Sequence, residues 1–271
     1  MLIFLHPTVF KMIFLLQSIA MKLHQSLTHA LIFFAILLPS FFAQAGIVIT
    51  GTRVIFQGDE SEVTVKLTNA GKGASLIQTW MDNGDARAKP ETISVPFTLS
   101  PPIFRMEASK GQTVRMIFTG EPLSQNKESV FWFNVLEVPP KPQGQVAEAN
   151  HLQFAIRTRI KVFYRPKALE EVDINKIPEQ LSWKIVSDAG GKGDAVELRN
   201  PSPFYVTVSK FTLKAGEASV DGASSGMVEP FGVLTLPLAD AKAAPAGAAE
   251  VSFYTVNDYG SEVLRTQPIM R

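Results

Sequence analysis

The chain contains no cysteine, which excludes a disulfide framework, a thiolate metal site and a cysteine nucleophile. Its stability must therefore come from its core. Histidine is nearly as scarce, limited to His6, His24, His29 and His151. Three of these precede residue 46, so the remainder is poorly equipped for a structural zinc site or histidine acid–base chemistry. No metal site, cofactor site or catalytic residue is assigned. A G-x-x-x-x-G-K-[ST] nucleotide loop is absent too. A two-domain β-type hydrolase is set aside for want of a nucleophile elbow and a usable metal cluster. Charge of one sign is also missing: the formal net charge is +1. Residues 1–45 hold Lys11, Lys22 and no acid, which leaves 24 basic and 25 acidic residues in the rest. That balance gives no bulk attraction to nucleic acid or an anionic membrane. No segment carries a long amphipathic helical pattern.

Long apolar runs are confined to the beginning. Residues 21–45 read MKLHQSLTHALIFFAILLPSFFAQA. Lys22, an apolar run over 30–42 and Ala43-Gln44-Ala45 are the three parts of a secretory signal peptide. The run is short for a transmembrane span. A membrane anchor is the other reading, given the further apolar stretch 1–20. Those twenty residues add nothing a signal needs, so translation is expected to begin at Met21. Cleavage after Ala45 leaves a mature chain that starts at Gly46, with no stable membrane insertion.

Beyond Gly46, period-two hydrophobicity and turn residues dominate. Strands are expected over 47–49, 53–56, 62–68, 75–81, 112–118, 130–137 and 151–164. Groups such as Asn69-Ala70-Gly71 and Asp82-Asn83-Gly84 separate them. A charged, apolar-poor stretch over 167–178 follows. A second series is expected over 181–186, 195–199, 205–213, 232–236, 251–256 and 262–265, with an Ala/Gly/Pro-rich loop over 239–249. The fold class is all-β, with two sandwich domains over 46–165 and 166–271.

The segment 151–164, HLQFAIRTRIKVFY, is unusually long for a strand. Leu152, Phe154, Ile156, Ile160 and Val162 share one parity, interrupted by Thr158. Gln153, Arg157, Arg159 and Lys161 take the other face. One reading is a strand serving its own core. The other gives one end to that core and offers the rest to a partner by strand addition. An exposed edge of that kind also invites weak self-association of the free protein.

Several motifs together resemble the periplasmic pilus (fimbrial) chaperones, across 46–271. They are Thr52-Arg53-Val54-Ile55-Phe56; Ser100-Pro101-Pro102 before Ile103-Phe104-Arg105; Glu128-Ser129-Val130-Phe131-Trp132-Phe133-Asn134; Ile160-Lys161-Val162-Phe163-Tyr164-Arg165-Pro166; Asn200-Pro201-Ser202-Pro203-Phe204-Tyr205; and Asn257-Asp258-Tyr259-Gly260. The resemblance implies two immunoglobulin-like sandwiches at an angle and no enzymatic activity. Arg53 and Lys161 match cations that hold a pilus subunit's C-terminal carboxylate. Leu152, Phe154 and Ile156 match residues donated to the subunit's groove. Glu128, Arg165 and Asp258 match a charged trio bridging the domains. Its expected role is orientation more than stability, because exposed ion pairs contribute little; three unrelated surface charges are the other reading. The resemblance also suggests a cis Ser100-Pro101 bond, a periplasmic location and an outer-membrane usher as second partner. The loop 141–149 places the chain in the short-loop branch. A structural or adhesive component of a surface fibre is the alternative function.

Overall fold

The structure is a computed structural model that describes residue 29 and residues 46–141, 150, 152–187, 193–239, 243–247 and 250–270. Ala45–Arg271 form one compact unit, distinct from Met1–Gln44. Among the described residues no helix is long and apolar enough to cross a membrane.

Nine strands make the first sandwich: β1 (Ile47–Ile49), β2 (Arg53–Gln57), β3 (Glu62–Asn69), β4 (Ser75–Asp82), β5 (Phe97–Ser100), β6 (Ile103–Met106), β7 (Gly111–Phe118), β8 (Ser129–Val138) and β9 (Ile156–Arg165). One sheet runs β1-β3-β7-β5 and the other β2-β9-β8-β4-β6. Every pairing is antiparallel except β2 with β9. Alternation along the strands turns Val65, Leu67, Ile77, Val114, Met116, Phe133 and Val162 inward. Edge-on aromatic contacts fill the middle, with Phe97 centred 5.3 Å from Phe56 and 5.0 Å from Phe131.

The second sandwich contains β10 (Ser182–Ser187), β11 (Asp194–Arg199), β12 (Val206–Ala215), β13 (Ala218–Asp221), β14 (Gly226–Val228), β15 (Val233–Pro237), β16 (Glu250–Val256) and β17 (Glu262–Pro268). Its sheets run β10-β11-β15 and β13-β12-β16-β17, with β14 also paired to β12. Trp183 anchors this core, 4.7 Å from the Phe253 ring.

The structure departs from the sequence reading in places, each with a physical reason. β5 and β6 fall where no strand is expected, because Pro101 and Pro102 break the pattern. They mark a change of sheet, since β5 pairs with β7 and β6 with β4, and the Ser100-Pro101 bond between them is cis. The segment over 167–178 is not simply a solvated linker. Two 3₁₀ turns, Lys167–Leu169 and Ile174–Gln180, send Leu169 and Ile177 into the second core. β13 and β14 are too short and too rich in Gly and Ser to show a period. Of the expected 239–249 loop, the described residues belong to no strand. His151 and residues 142–149, and with them the assignment to a loop-length branch, lie outside the described residues.

Candidate functional site

The parallel pairing of β2 with β9 sets Arg53 directly opposite Lys161. A β2 that starts at Arg53 requires the chain to leave the other sheet just before it. It does so through Thr50–Thr52, where Gly51 adopts φ 92°. The two cations therefore sit side by side although 161 is far from 53 in sequence. The Arg53 guanidinium lies 5.5 Å from the Phe163 ring centre and donates to the Val256 carbonyl at 3.1 Å. Its Nε is buried with no partner. Lys161 makes no hydrogen bond or ion pair with the described residues. Burial first, and the neighbouring Arg53 charge second, push the Lys161 ammonium below its ordinary pKa. Burial also lowers Arg53, against the pull of Asp258 and Glu128. Two partly desolvated like charges beside an open cleft, lined also by Thr52, Trp132 and Gly260, form a site that an anion would relieve.

The apolar stripe of β9 divides along its length. Ile160 and Val162 are buried in the first core. Leu152, Phe154 and Ile156 are 78%, 67% and 57% exposed. β8 pairs with one side of Ile156–Tyr164, whereas β2 covers the other side only over Lys161–Arg165. Among the described residues, no strand pairs with that second side over 156–160. The strand begins at Ile156, later than the sequence reading expects. Continued in register, Gln153–Ala155 would face Val138, Pro139 and Pro140, and proline has no N–H to donate to a ladder. Gln153 instead donates its side-chain amide to the Pro139 and Pro140 carbonyls at 2.8 and 3.1 Å.

Glu128, Arg165 and Asp258 come together. Arg165 donates from Nε to Glu128 at 2.9 Å and from Nη1 to Asp258 at 2.9 Å, and stacks over Phe204 at 5.3 Å. The second Glu128 oxygen accepts the Tyr205 N–H at 2.9 Å. The trio joins Glu128, just before β8, and Arg165, at the end of β9, to residues of the second sandwich. The expectation of exposed ion pairs is corrected here: Glu128 and Arg165 are 2% and 6% exposed. Phe163, Phe204 and Tyr205 lie around them, with the Phe163 and Tyr205 rings centred 6.0 Å apart.

A second buried carboxylate escaped the sequence reading. Asp82 is fully buried on the outward face of the β4-β8-β9 sheet. It accepts from Arg159 Nε at 2.9 Å and Asn134 Nδ2 at 2.8 Å. Arg157 and Arg159 stack on Trp80 and Trp132, 4.8 and 4.5 Å from the ring centres. Burial would raise the Asp82 carboxyl, but its hydrogen bonds outweigh that and hold it low. Asp82 read as a turn residue and the arginines only as the other face of the strand. The pairing of Trp80 with Asn134 across β4 and β8, and of Asn134 with Arg159 across β8 and β9, brings them together.

One reason for setting a hydrolase aside is also corrected. The letters of Gly222–Gly226, GASSG, do fit G-x-S-x-G. They join β13 to β14 without a following helix, so no strand–turn–helix elbow presents the serine.

Comparison with known proteins accords with this architecture. Residues 46–170 match the profile of the pili and flagellar-assembly chaperone PapD N-terminal domain, and residues 176–267 match that of the pili assembly chaperone PapD C-terminal domain. The probable fimbrial chaperone YadV of Escherichia coli K12 is 41% identical over 238 residues, covering 87% of this chain and 95% of that one. The chaperone protein FimB/FhaD of Bordetella pertussis is 39% identical, covering 80% and 86%. The crystal structure of the YadV chaperone superposes with a TM-score of 0.68 at 36% identity, covering 83% of this chain and all of that one. Two family profiles in succession, over most of the chain and on two β-sandwiches, leave one conclusion: this chain belongs to the PapD-like pilus assembly chaperone family.

Proposed function

We propose that this chain binds pilus subunits in the periplasm by lending them the free edge of β9, and passes them to an outer-membrane usher. The observation that carries this reading is a strand edge that no described strand pairs, with exposed apolar side chains at its start and two partly buried cations at its end. The place of the two cations supports one direction for the guest strand. β2 lies parallel to β9 and occupies the edge position only from Arg53 onward. A guest strand parallel to β9 in the vacant stretch would run end-on toward β2 and finish at Arg53 and Lys161. Its last atoms would then be its own C-terminal carboxylate. Arg53 offers a planar fork and Lys161 a compact charge to the two oxygens.

Leu152, Phe154 and Ile156 would enter the guest's groove. Each contributes about 1.5–3 kcal/mol of burial before ordering costs. Glu128, Arg165 and Asp258 would hold the two sandwiches in working relation. Residues 1–45 act as a leader removed on export, leaving domains over 46–165 and 166–271. Free of its guest, the protein self-associates weakly through the same edge. No reaction is assigned to it. Co-expression with candidate subunits tests the reading. A one-to-one complex with a smaller subunit, lost in Arg53→Ala, is expected; formation of polymers containing this chain would instead favour a fibre component.

A further inference from the structure

The structure places an uncompensated carboxylate against Gly46. The Glu137 side chain emerges near the end of β8, on the inward face with Phe133 and Val135. Its Oε2 accepts the Ile47 N–H at 2.9 Å and its Oε1 accepts the Ser75 hydroxyl at 2.9 Å. It thereby ties the start of β1 and the start of β4 to the end of β8. In register it faces Ile156, where β9 begins, and Ile77. The groups that β1, β4 and β9 set beside it are thus Ile47, Ser75, Ile77 and Ile156, none of them titratable. Among the described residues, no lysine or arginine pairs with this half-buried carboxylate. The missing charge has an obvious place. A Cβ on residue 46 would stand 2.2 Å from Oε2, so any larger residue there would push the carboxylate aside. The Gly46 nitrogen, on that same Cα, shares the neighbourhood, and the Gly46 carbonyl is pinned by the Ala70 N–H at 3.0 Å.

We propose that removal of the leader frees an α-ammonium on Gly46 that pairs with Glu137 and fastens β1 at the root of the donor segment. The proposal rests on the reading of residues 1–45 as a cleaved leader; the family match beginning at residue 46 accords with it. While Gly46 is joined to Ala45, its nitrogen is a neutral amide with one hydrogen. Cleavage makes it an ammonium with three donors and an ordinary pKa of about 7.7–8.0. That value lies close to neutrality, so pairing decides how fully it is charged. A raised pKa gives stability that is complete below about pH 7.7 and is lost as pH climbs through the folded value. The unprocessed chain lacks this clasp, so export itself completes the sandwich.

The test uses mature protein purified from periplasm. Its N-terminus is sequenced and its α-amino group titrated by nitrogen-15 NMR. The expected result is a start at Gly46 and a pKa raised by about one unit. In Glu137→Gln, and in a chain with one extra alanine before Gly46 and Glu137 intact, the value returns to ordinary. The extended chain keeps the test decisive should Glu137→Gln fold poorly. A start elsewhere overturns the cleavage reading and the pair with it. A start at Gly46 with the same ordinary pKa in all three proteins overturns the pair alone.

Discussion

Lys161 carries the sharpest consequence at the scale of a single residue. Its ammonium is held below the ordinary lysine value of about 10.4 by burial and by Arg53. A bound carboxylate favours the charged lysine, so binding raises that pKa again. Affinity for a peptide with a free C-terminus is therefore expected to be greatest at neutral pH. It should fall as pH climbs through the lowered Lys161 value, earlier than a free lysine would allow. The unliganded protein should show the opposite sign. A lowered lysine penalises folding while charged in both states, and that penalty disappears as pH rises from the folded toward the unfolded pKa. Calorimetric binding and denaturant titrations across the same alkaline range will separate the two trends. Lys161→Arg should bind at neutral pH and flatten both curves. Arg53→Ala should weaken binding by about 30-fold or more, as removal of a desolvated charged anchor does elsewhere.

At the scale of the element, β9 does two jobs on one parity. Its buried half belongs to the first core; its exposed start at Ile156, with Leu152 and Phe154 just before it, is covered by none of the described residues. Ile160→Ala should cost about 2–5 kcal/mol of unfolding free energy, the usual range for such a truncation in a core. Phe154→Ala should change stability by less than about 0.5 kcal/mol, because the side chain is solvated. The binding assay should rank the two in reverse, with Phe154→Ala losing subunit capture and Ile160→Ala retaining it at low temperature. Much of this was legible in the residues. The parity from Leu152 to Val162, and the length of the run, announce a strand with more apolar surface than one sheet needs. The point where it divides was not legible. It depends on where β2 starts and on Pro139 and Pro140 as mute neighbours, and both are facts about other segments. The juxtaposition of Arg53 and Lys161 has the same character. Nothing local links them; resemblance alone suggested it, and the parallel β2–β9 register supplies the physical reason. Leu169 and Ile177 were missed because a 3₁₀ turn leaves no period long enough to read.

At the scale of the whole compact unit, the question is what couples the two sandwiches. The Glu128–Arg165 bond is buried, and that inverts the reasoning suited to a surface trio. Burial pushes the Glu128 carboxyl up, against the pull of Arg165 and the Tyr205 N–H. Those two donors, together with the bond from Arg165 to Asp258, tie the first sandwich to the second. Cutting one partner from such a site leaves the other buried and unpaired, at a cost of about 3–5 kcal/mol. Glu128→Ala and Arg165→Ala should therefore each lower the thermal midpoint substantially. Asp258 is a quarter exposed, so water can replace it, and Asp258→Ala should cost about 1 kcal/mol or less. The double variant Glu128→Ala with Arg165→Ala then decides what the network is for. If the bond itself is what stabilises, it is lost once, and the double variant should be about as destabilised as either single. If each single loss is mainly the penalty of an orphaned charge, removing both should recover part of the midpoint. Part recovery is expected, because Phe204 and Tyr205 already fill the space around the guanidinium with apolar surface. The residual defect should then appear in subunit capture, where the relation of the second sandwich to Arg53 matters through the Val256 carbonyl that the guanidinium holds.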